Sequence, residues 1–543
     1  MSSEQPAAKE TAAASAKAIG LASSAGAAPG RFAATCPIAL SDLSPGAPGR
    51  VTGLSLVASA VRPGDLYVAL PGTRTHGARF AAAAAAAGAA AVLTDTAGAA
   101  LAGPLGLPVV VAAEPRTVLA DLAARLFGRP GDRLVLLAVT GTNGKTTTVF
   151  CADAILGGLG LDTATLGTMG LRRRGRPLPW ASTTITTPEA PDLQAALALL
   201  AADGCQAVAL EVSSHALALH RADALVFAAA GFTNLGADHL DFHGDKAAYF
   251  EAKARLFEPN RAKTAVVHTD DQAGRRLAER LAGRGQDLVT VGRGPGPGFG
   301  RTHCQITAEA PSGDGTTAVE LRADGFFDRF CLGLPGRHNV TDAAVAVCLV
   351  RAAGFDPAPG LGALAEVRVP GRLERVRLDG AAPQVYVDFA HTPEAIAEAL
   401  AAVGALAAAD DGKVVAVIGG GGDRDPSKRG PMGAAAAGAA DAVIVTDDNP
   451  RFEQPALIRA AVLAGGQAAR AAAPSGSRAA RADVIDGGPR RAAIALALAY
   501  AGPGDVVAVL GKGHETTQEA EGRFSPFEDR AEIAAAWAAR GKA

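Results

Sequence analysis

Short apolar runs of strand length recur along the chain, separated by Ala-rich stretches of helix length and by turns containing Gly and Pro. This alternation predicts α/β organisation with a mostly parallel sheet. Between residues 51 and 128 the runs are Asp65 to Leu70, Ala91 to Leu93 and Val109 to Val111, a small α/β unit that ends near Pro130 and Gly131. Leu134 to Val139 then predicts a strand, followed by a Gly-containing turn and a helix reaching Leu159, the start of a β-α-β nucleotide domain. Further strands are expected at Ala207 to Val212, Leu225 to Phe232 and Thr264 to Val267, with closure where Gly and Pro punctuate Gly354 to Gly362. A third unit begins near Val369, with strands at Val385 to Asp388, Lys413 to Ile418, Ala442 to Thr446 and Val506 to Leu510. Arg293 to Gly300 reads as a turn-rich loop, and no internal repeat of fixed period is found. The expected boundaries are a tail and lead-in over 1–50, then domains over 51–130, 131–360 and 361–543.

Composition narrows the function classes. At roughly 150 residues per domain, 543 residues imply three to four domains. Apolar residues at 49% and charged residues at 20% are ordinary globular usage, which excludes wholesale disorder. The 52 basic and 54 acidic residues give −2, and no Lys/Arg cluster makes a basic stripe, so nucleic acid is not an expected partner. Cys36, Cys151, Cys205, Cys304, Cys331 and Cys348 are scattered without metal-binding or disulfide spacing, which fits a reducing cytoplasm. Glu4, Lys9, Glu10 and Lys17 break the apolar run that a secretory signal needs, so residues 1–30 are expected to be a disordered tail. Residues 81–102 lack the Leu/Ile/Val density of a membrane span.

The strongest local signal is TGTNGKTT, Thr140 to Thr147, between a predicted strand and a predicted helix. Small residues let backbone N–H groups curl around phosphate oxygens, the helix N-terminus favours an anion, Lys145 adds a point charge, and the Thr146 hydroxyl can hold Mg²⁺. Gly141 and Gly144 enclose two residues where the general NTPase loop has four. EVSSH at Glu211 to His215 and TNLGADHLDFH at Thr233 to His243 could place metal ligands beside the loop, Glu211 being an oxygen donor at a strand end. Lys253, in YFEAKARLF, has no such reading from its own chemistry, because a free ammonium repels Mg²⁺; a lysine on a helix face is the plain alternative. Isolated histidines such as His220 and His303 read as structural.

Three segments of the last unit each follow a predicted strand: GGGGDRDPSKRGPM (Gly419 to Met432), DDNPR (Asp447 to Arg451) and GKGHE (Gly511 to Glu515). Ligands of open α/β sheets collect at the carboxyl ends of strands, so these segments are expected to line one cleft. Arg424, Asp448, Asn449, Arg451 and Glu515 offer guanidinium forks for a carboxylate and acidic groups for an ammonium, which suits a zwitterionic amino acid.

TGTNGKTT, EVSSHAL, FTNLGADHLDFH, YFEAKARLF, LPGRHN (Leu334 to Asn339), VPGRLERV (Val369 to Val376), VDFAHTPEA (Val387 to Ala395), GGDRD, DNPR and GKGHE, in this order, resemble the Mur ligase family from about residue 51 to 530. Within that family, EVSSHAL together with DNPR resembles the members that add the third residue of the peptidoglycan stem peptide. DNPR resembles the form using meso-diaminopimelate, whose distal carboxylate an arginine can clamp. The resemblance implies three α/β domains: a UDP-binding N-terminal domain, a central ATP-binding domain on a parallel sheet, and a Rossmann-like C-terminal domain that takes the amino acid. It implies an ATP- and Mg²⁺-dependent ligase acting on small molecules, a monomer in the cytoplasm.

By the same resemblance Gly141, Thr142, Asn143, Gly144, Lys145, Thr146 and Thr147 hold ATP, with Thr146 and Glu211 on one Mg²⁺ and His239 with Lys253 near a second. Lys145, Glu211, His239 and Lys253 form the implied catalytic set, and the lysine matching Lys253 is carbamylated in the family, which turns a cation into an anionic oxygen ligand. Asn339, Arg372, Asp388 and His391 match positions contacting nucleotide, implying closure over ATP. Ser59, Thr73, Arg74 and Thr75 match uridine-side positions, and Thr186, Thr187, Ser213 and Arg221 match muramoyl-peptide positions. Arg424, Asp448, Asn449, Pro450, Arg451, Gly511 and Glu515 would meet diaminopimelate.

Departures from the family pattern fall at Ala58 and Ala60, where an Asp and an Arg flank the serine, and at His268, Asp342 and Phe389. Three alternatives share parts of the pattern. A lysine-adding ligase differs in the amino-acid clamp, a folylpolyglutamate synthase would lack DNPR and GKGHE, and a non-catalytic nucleotide-binding relative would lack turnover.

Overall fold

The computed structural model describes residues 35–72, 75–179, 185–236, 238–298, 300, 302–311, 316–409 and 412–540. Its packing divides the chain into two compact units. The first takes the chain up to Leu235 with His243–Gln305 and Val345–Leu361; the second takes Gly236–Phe242, Ile306–Ala344 and Gly362–Ala543.

The first unit opens with a small parallel sheet of β1 (Gly53–Ser55), β2 (Asp65–Ala69), β3 (Ala91–Thr94) and β4 (Val109–Val111), in sequence order. Alternation along β2 sends side chains to opposite faces. Leu66 and Val68 join Leu119, Leu122 and Leu126 of the helix Pro115–Leu126, while Tyr67 and Ala69 join Ala78, Ala81 and Ala84. Ala190, Ala195 and Ala198 of the helix Ala190–Ala202 enter the first of these cores, so the small sheet shares its interior with the elements that follow.

Those elements are β5 (Val135–Thr140), β6 (Thr163–Gly167), β7 (Gly170–Arg173), β8 (Arg176–Pro177), β9 (Ala207–Glu211), β10 (Phe227–Phe232), β11 (Ala262–His268), β12 (Asp287–Gly292) and the start of β13 (Thr302–Pro311). Their spatial order is β8-β7-β6-β9-β5-β10-β11-β12-β13. Pairing is parallel from β6 to β13, while β7 and β8 make an antiparallel edge. The chain moves to one side of β5 for β6 and β9 and to the other side for β10. This reversal opens a crevice at the carboxyl end of β5, where ligands of such sheets bind.

In the second unit β14 (Thr317–Ala323) and β15 (Phe326–Leu332) form an antiparallel hairpin. A six-stranded sheet follows, built from β16 (Glu374–Val376), β17 (Gln384–Asp388), β18 (Val414–Gly420), β19 (Ala442–Asp447), β20 (Asp483–Gly488) and β21 (Val506–Leu510), in the order β16-β17-β21-β18-β19-β20. All its pairs are parallel except the edge strand β16. Val414, Ala416 and Ile418 pack one face against Ile396, Leu400 and Val403, and Val415 and Val417 pack the other against Ile494, Leu498 and Ile533. Burial on both faces is why these strands read as unbroken apolar runs. A second hairpin joins β22 (Thr517–Ala520) to β23 (Arg523–Pro526). No helix among the described residues is long and apolar enough to cross a membrane.

Candidate active site

The loop after β5 is built around two glycines. Gly144 has φ +84°, a left-handed conformation that favours glycine, and it caps the helix Lys145–Gly158. A Cβ on Gly141 would lie 1.9 Å from Thr233 Oγ1, so only glycine lets this loop rest against the end of β10. Thr142 N donates to Asn234 O at 2.9 Å, Asn143 N to Asn234 Oδ1 at 2.9 Å, and Thr233 Oγ1 to Asn143 O at 2.5 Å. Lys145 Nζ folds back onto Gly141 O and Thr142 O, at 2.9 Å each. Thr146 and Thr147 are buried in the first helical turn. His268, one of the departures from the family pattern, sets its Nδ1 2.8 Å from Thr233 O and its Nε2 3.2 Å from Asp270 Oδ2, helping to fix β10's end.

Glu211 ends β9 beside the loop, in register with Val139 of β5, and is buried. Thr168 holds its carboxylate, donating from N to Oε1 at 2.9 Å and from Oγ1 to Oε2 at 3.0 Å. Lys253, 1% exposed on the helix Lys246–Ala254, donates from Nζ to Gly141 O at 2.7 Å and lies 4.5 Å from the Tyr249 ring centre. The lysine without an assignable role from its own chemistry therefore reaches the phosphate-loop backbone. Tyr249, whose hydroxyl is 3.2 Å from Thr142 Oγ1, is a site neighbour that sequence reading missed, although it lies in the same YFEAKARLF segment. His239 belongs to the second unit; its Nε2 is 3.4 Å from Asp238 Oδ2. Burial raises the Asp238 carboxyl, but His239, His391 and Lys428 outweigh it and hold the group below the ordinary aspartate range. Among the described residues no cluster of three or more His, Cys, Asp or Glu side chains forms a ready metal cage.

The muramoyl-peptide positions assemble within the first unit. Thr187 Oγ1 donates to Glu211 O at 2.9 Å and accepts from Ser213 N at 3.0 Å, while Ser213 Oγ caps the helix Ser214–Ala218. Thr186 Oγ1 is 3.2 Å from Thr168 Oγ1. Arg221 donates to Thr187 O at 3.1 Å and to Glu189 Oε1 at 3.0 Å, and Glu189 also takes Arg116 at 3.0 Å from the small-sheet helix. Arg116 and Glu189 escaped sequence reading because neither sits in a motif of its own. Ser59 lies exposed in a short turn and Thr75 O accepts from Gly72 N at 3.2 Å; Thr73 and Arg74 lie outside the described residues.

In the second unit the three segments after β18, β19 and β21 meet, as expected. Gly422 N donates to Asn449 O at 2.9 Å, Arg451 Nη1 to Gly422 O at 2.6 Å, and Asn449 Nδ2 to Glu515 Oε2 at 2.8 Å. Arg451, with φ +51°, also sets Nε 3.2 Å from Glu519 Oε2. Pro450 backs this turn, where a Cβ on Gly422 would meet Pro450 O at 1.9 Å. Arg424 is exposed, with Cγ 3.7 Å from the space above Gly421. Gly511 N donates to Asp388 O at 3.0 Å, and a Cβ on Gly511 would point at the Asp448 carboxylate, 3.5 Å away.

Beneath these groups lies a buried charged layer that the motifs did not reveal. Arg490 makes two 2.7 Å bonds to Asp529, and Lys512 reaches Glu515 at 2.9 Å. Burial raises the Asp448 carboxyl, with Arg490 and Lys512 pulling the other way. Nearby, Asp388 accepts from Leu373 N and Ala390 N at 2.7 Å each, tying VPGRLERV to the end of β17. Burial raises its carboxyl against the pull of Arg372, which stacks 4.8 Å from the Phe389 ring. His391 Nδ1 donates to Phe389 O at 2.7 Å, and Asn339 Nδ2 to Pro335 O at 2.6 Å. His514 is pushed down to about 4, first by burial and then by Arg372, so it is neutral at pH 7.

Comparison with known proteins follows the same layout. Residues 50–126 match the Mur ligase family catalytic domain, 139–350 the Mur ligase middle domain, and 371–513 the Mur ligase glutamate ligase domain. A UDP-N-acetylmuramoyl-L-alanyl-D-glutamate–2,6-diaminopimelate ligase of Streptomyces coelicolor is 42% identical over 518 residues, 92% of this chain and 96% of that one. A UDP-N-acetylmuramyl-tripeptide synthetase of Leifsonia xyli is 42% identical over 497 residues, 88% of this chain and 90% of that one. A solved structure of a UDP-N-acetylmuramoyl-L-alanyl-D-glutamate–2,6-diaminopimelate ligase superposes with TM-score 0.64 at 30% identity, covering 93% of this chain and 99% of the other. With three matched stretches in order and near-complete mutual coverage, the chain belongs to the Mur ligase family.

Proposed function

We propose that the protein is the ATP-dependent ligase that adds meso-diaminopimelate to the D-glutamyl residue of UDP-N-acetylmuramoyl-L-alanyl-D-glutamate, in peptidoglycan precursor synthesis. The observation that carries this reading is the Arg451, Asn449 and Glu515 constellation, in a chain 42% identical to a ligase named for diaminopimelate. Arg451 uses Nη1 and Nε on the protein, and among the described residues Nη2 has no partner, so it can take the distal carboxylate. Asp448, Asn449 and Glu515 face the amino-acid end, with Arg424, Pro450 and Gly511 shaping the cleft.

In the reaction, a lone pair of the D-glutamyl side-chain carboxylate attacks the γ-phosphorus of ATP, ADP leaves, and an acyl phosphate forms. The diaminopimelate amine, having lost a proton, attacks the acyl carbon; phosphate leaves and an amide remains. No protein nucleophile is required, so the chain's task is positioning and charge stabilisation. Gly141 to Thr147 cradle the phosphates, with Lys145 leaving its loop carbonyls for them. Thr146 and Glu211 present the oxygen donors that Mg²⁺ prefers, while Lys253 as its carbamate would supply a further oxygen donor and His239 a nitrogen donor. Mg²⁺, when bound, draws charge from the transferring phosphoryl oxygens. Thr186, Thr187, Ser213 and Arg221 position the dipeptide, Ser59 and Thr73 to Thr75 the uridine side, and Asn339, Arg372, Asp388 and His391 the nucleotide. The enzyme acts as a cytoplasmic monomer on small molecules, with no nucleic-acid or membrane partner.

L-lysine addition is the second reading, favoured by one observation: Arg451 already shares its charge with Glu519, 3.2 Å away. Phosphate release with ATP and the UDP-muramoyl dipeptide, comparing equal meso-diaminopimelate and L-lysine, separates the two. Release with diaminopimelate is expected. Preference for lysine overturns the clamp, and silence with both overturns the ligase.

A further inference from the structure

The floor of the amino-acid cluster is a lysine with no exposed surface. Lys512 Nζ lies 2.9 Å from Glu515 Oε2, 3.1 Å from Asn449 Oδ1 and 3.8 Å from Asp448 Oδ1, and the residue is 0% exposed. A buried ammonium is tolerated only where its protons meet acceptors; Glu515 and Asn449 accept from it, and Asp448 adds a carboxylate just beyond hydrogen-bond distance.

The consequence falls on Asn449. Its Oδ1 accepts from Lys512 Nζ at 3.1 Å and from Glu519 N at 3.0 Å, which uses both lone pairs of the amide oxygen. Two donors at that position can face only oxygen, so the amide cannot flip, and Nδ2 must face Glu515 Oε2 at 2.8 Å. One Nδ2 proton goes to Glu515, and among the described residues the second has no partner. Glu515 takes both of its bonds on Oε2, and among the described residues Oε1 accepts none. A donor and an anionic acceptor thus stand side by side, complementary to the carboxylate and ammonium of one amino acid.

The ion pairing points the same way. Both Asp529 oxygens occupy Arg490, and Glu515 meets Lys512 through Oε2, which leaves Glu515 Oε1 to face an incoming ammonium. Burial would raise the Glu515 carboxyl, but Lys512 and Asn449 outweigh it and keep the group ionised.

We propose that Lys512 is a positioning residue that locks the Asn449 amide and the Glu515 carboxylate as an adjacent donor and acceptor for the incoming amino acid, without touching it. The proposal rests on the diaminopimelate-ligase reading of this site. The test is steady-state phosphate release by the full-length enzyme and its Lys512→Met and Lys512→Gln variants, with meso-diaminopimelate, ATP and the UDP-muramoyl dipeptide each varied in turn. Diaminopimelate-dependent release by the unsubstituted enzyme comes first, and its absence sinks the ligase reading itself rather than the role of Lys512. In Lys512→Met the KM for diaminopimelate should rise at least about tenfold, as expected when charge-assisted bonds lose their anchor, while the other two KM values stay within about twofold. Lys512→Gln, which can still donate to Asn449 Oδ1, should recover part of that loss. An unchanged diaminopimelate KM in either folded variant overturns the proposal. A uniform loss across all three substrates, or failure of both variants to fold, overturns it in favour of a purely structural lysine.

Discussion

Arg451→Lys and Arg451→Ala address the amino-acid clamp directly. The Arg451 guanidinium is fixed by Gly422 O at 2.6 Å and by Glu519 at 3.2 Å, which leaves Nη2 for substrate. A hydrogen bond to a charged partner contributes roughly 1.5–3 kcal/mol, so its loss lowers kcat/KM for diaminopimelate by about 10- to 150-fold. Lysine keeps the charge without the fork, so Arg451→Lys belongs at the lower end and Arg451→Ala at the upper. A melting curve accompanies each variant, because the Arg451–Glu519 pair is only about one-fifth exposed on each side and Arg451→Ala leaves Glu519 without that cation; the φ of +51° costs Lys and Ala about what it costs Arg. The assay is phosphate release with diaminopimelate and with L-lysine, beside the KM for ATP. The diaminopimelate-to-lysine preference should shrink by the same 10- to 150-fold, at constant ATP KM. Unchanged amino-acid kinetics in a folded Arg451→Ala would remove Arg451 from the amino-acid clamp.

Other residues give independent checks. Lys253→Ala should lose most phosphate release and regain part of it with an added short-chain carboxylate standing in for the carbamate; full activity without one ends the carbamate assignment. Gly141→Ala places a methyl 1.9 Å from Thr233 Oγ1, so the loop must shift; the KM for ATP should rise by at least about tenfold, and a normal ATP KM would contradict the packing argument. Burial, and then Glu189, push the Asp192 carboxyl up to about 6 from 3.8. The folded chain then binds more protons between those values, so this group's contribution to stability falls as pH rises from about 4 to about 6 and is level above. The cost at pH 7 is at most roughly 3 kcal/mol from the 2.2-unit difference. Asp192→Asn should accordingly raise the urea midpoint at pH 7 but not at pH 3.5, and an equal change at both would remove the charge as its cause.

The sequence made the buried parallel strands legible because burial on both faces leaves an unbroken apolar run. Val506–Leu510 and Val109–Val111 match the expected spans end to end, and the other anticipated strands differ by one to three residues at their ends. The edge and hairpin strands were not legible. Phe326–Leu332 alternates buried and exposed positions and so lacks the unbroken apolar run of the central strands, and Gly170–Arg173 is polar. The phosphate loop and the DNPR and GKGHE segments stood out because their chemistry is compressed into contiguous residues. Arg490, Asp529, Arg116 and Glu189 did not, since each acts on a partner distant in the chain: Arg490 is 39 residues from Asp529, and Arg116 is 73 from Glu189. Lys512 lay inside a recognised segment, yet its burial is a property of the fold alone.

Ligation through an acyl phosphate is tested most directly with UDP-N-acetylmuramoyl-L-alanyl-D-glutamate carrying ¹⁸O in the D-glutamyl side-chain carboxylate, incubated with ATP, Mg²⁺ and meso-diaminopimelate. The expected products are a tripeptide nucleotide extended by one diaminopimelate and phosphate bearing one ¹⁸O from the attacking carboxylate. Unlabelled phosphate would contradict the acyl-phosphate route, and ATP consumption without the tripeptide would contradict the ligase.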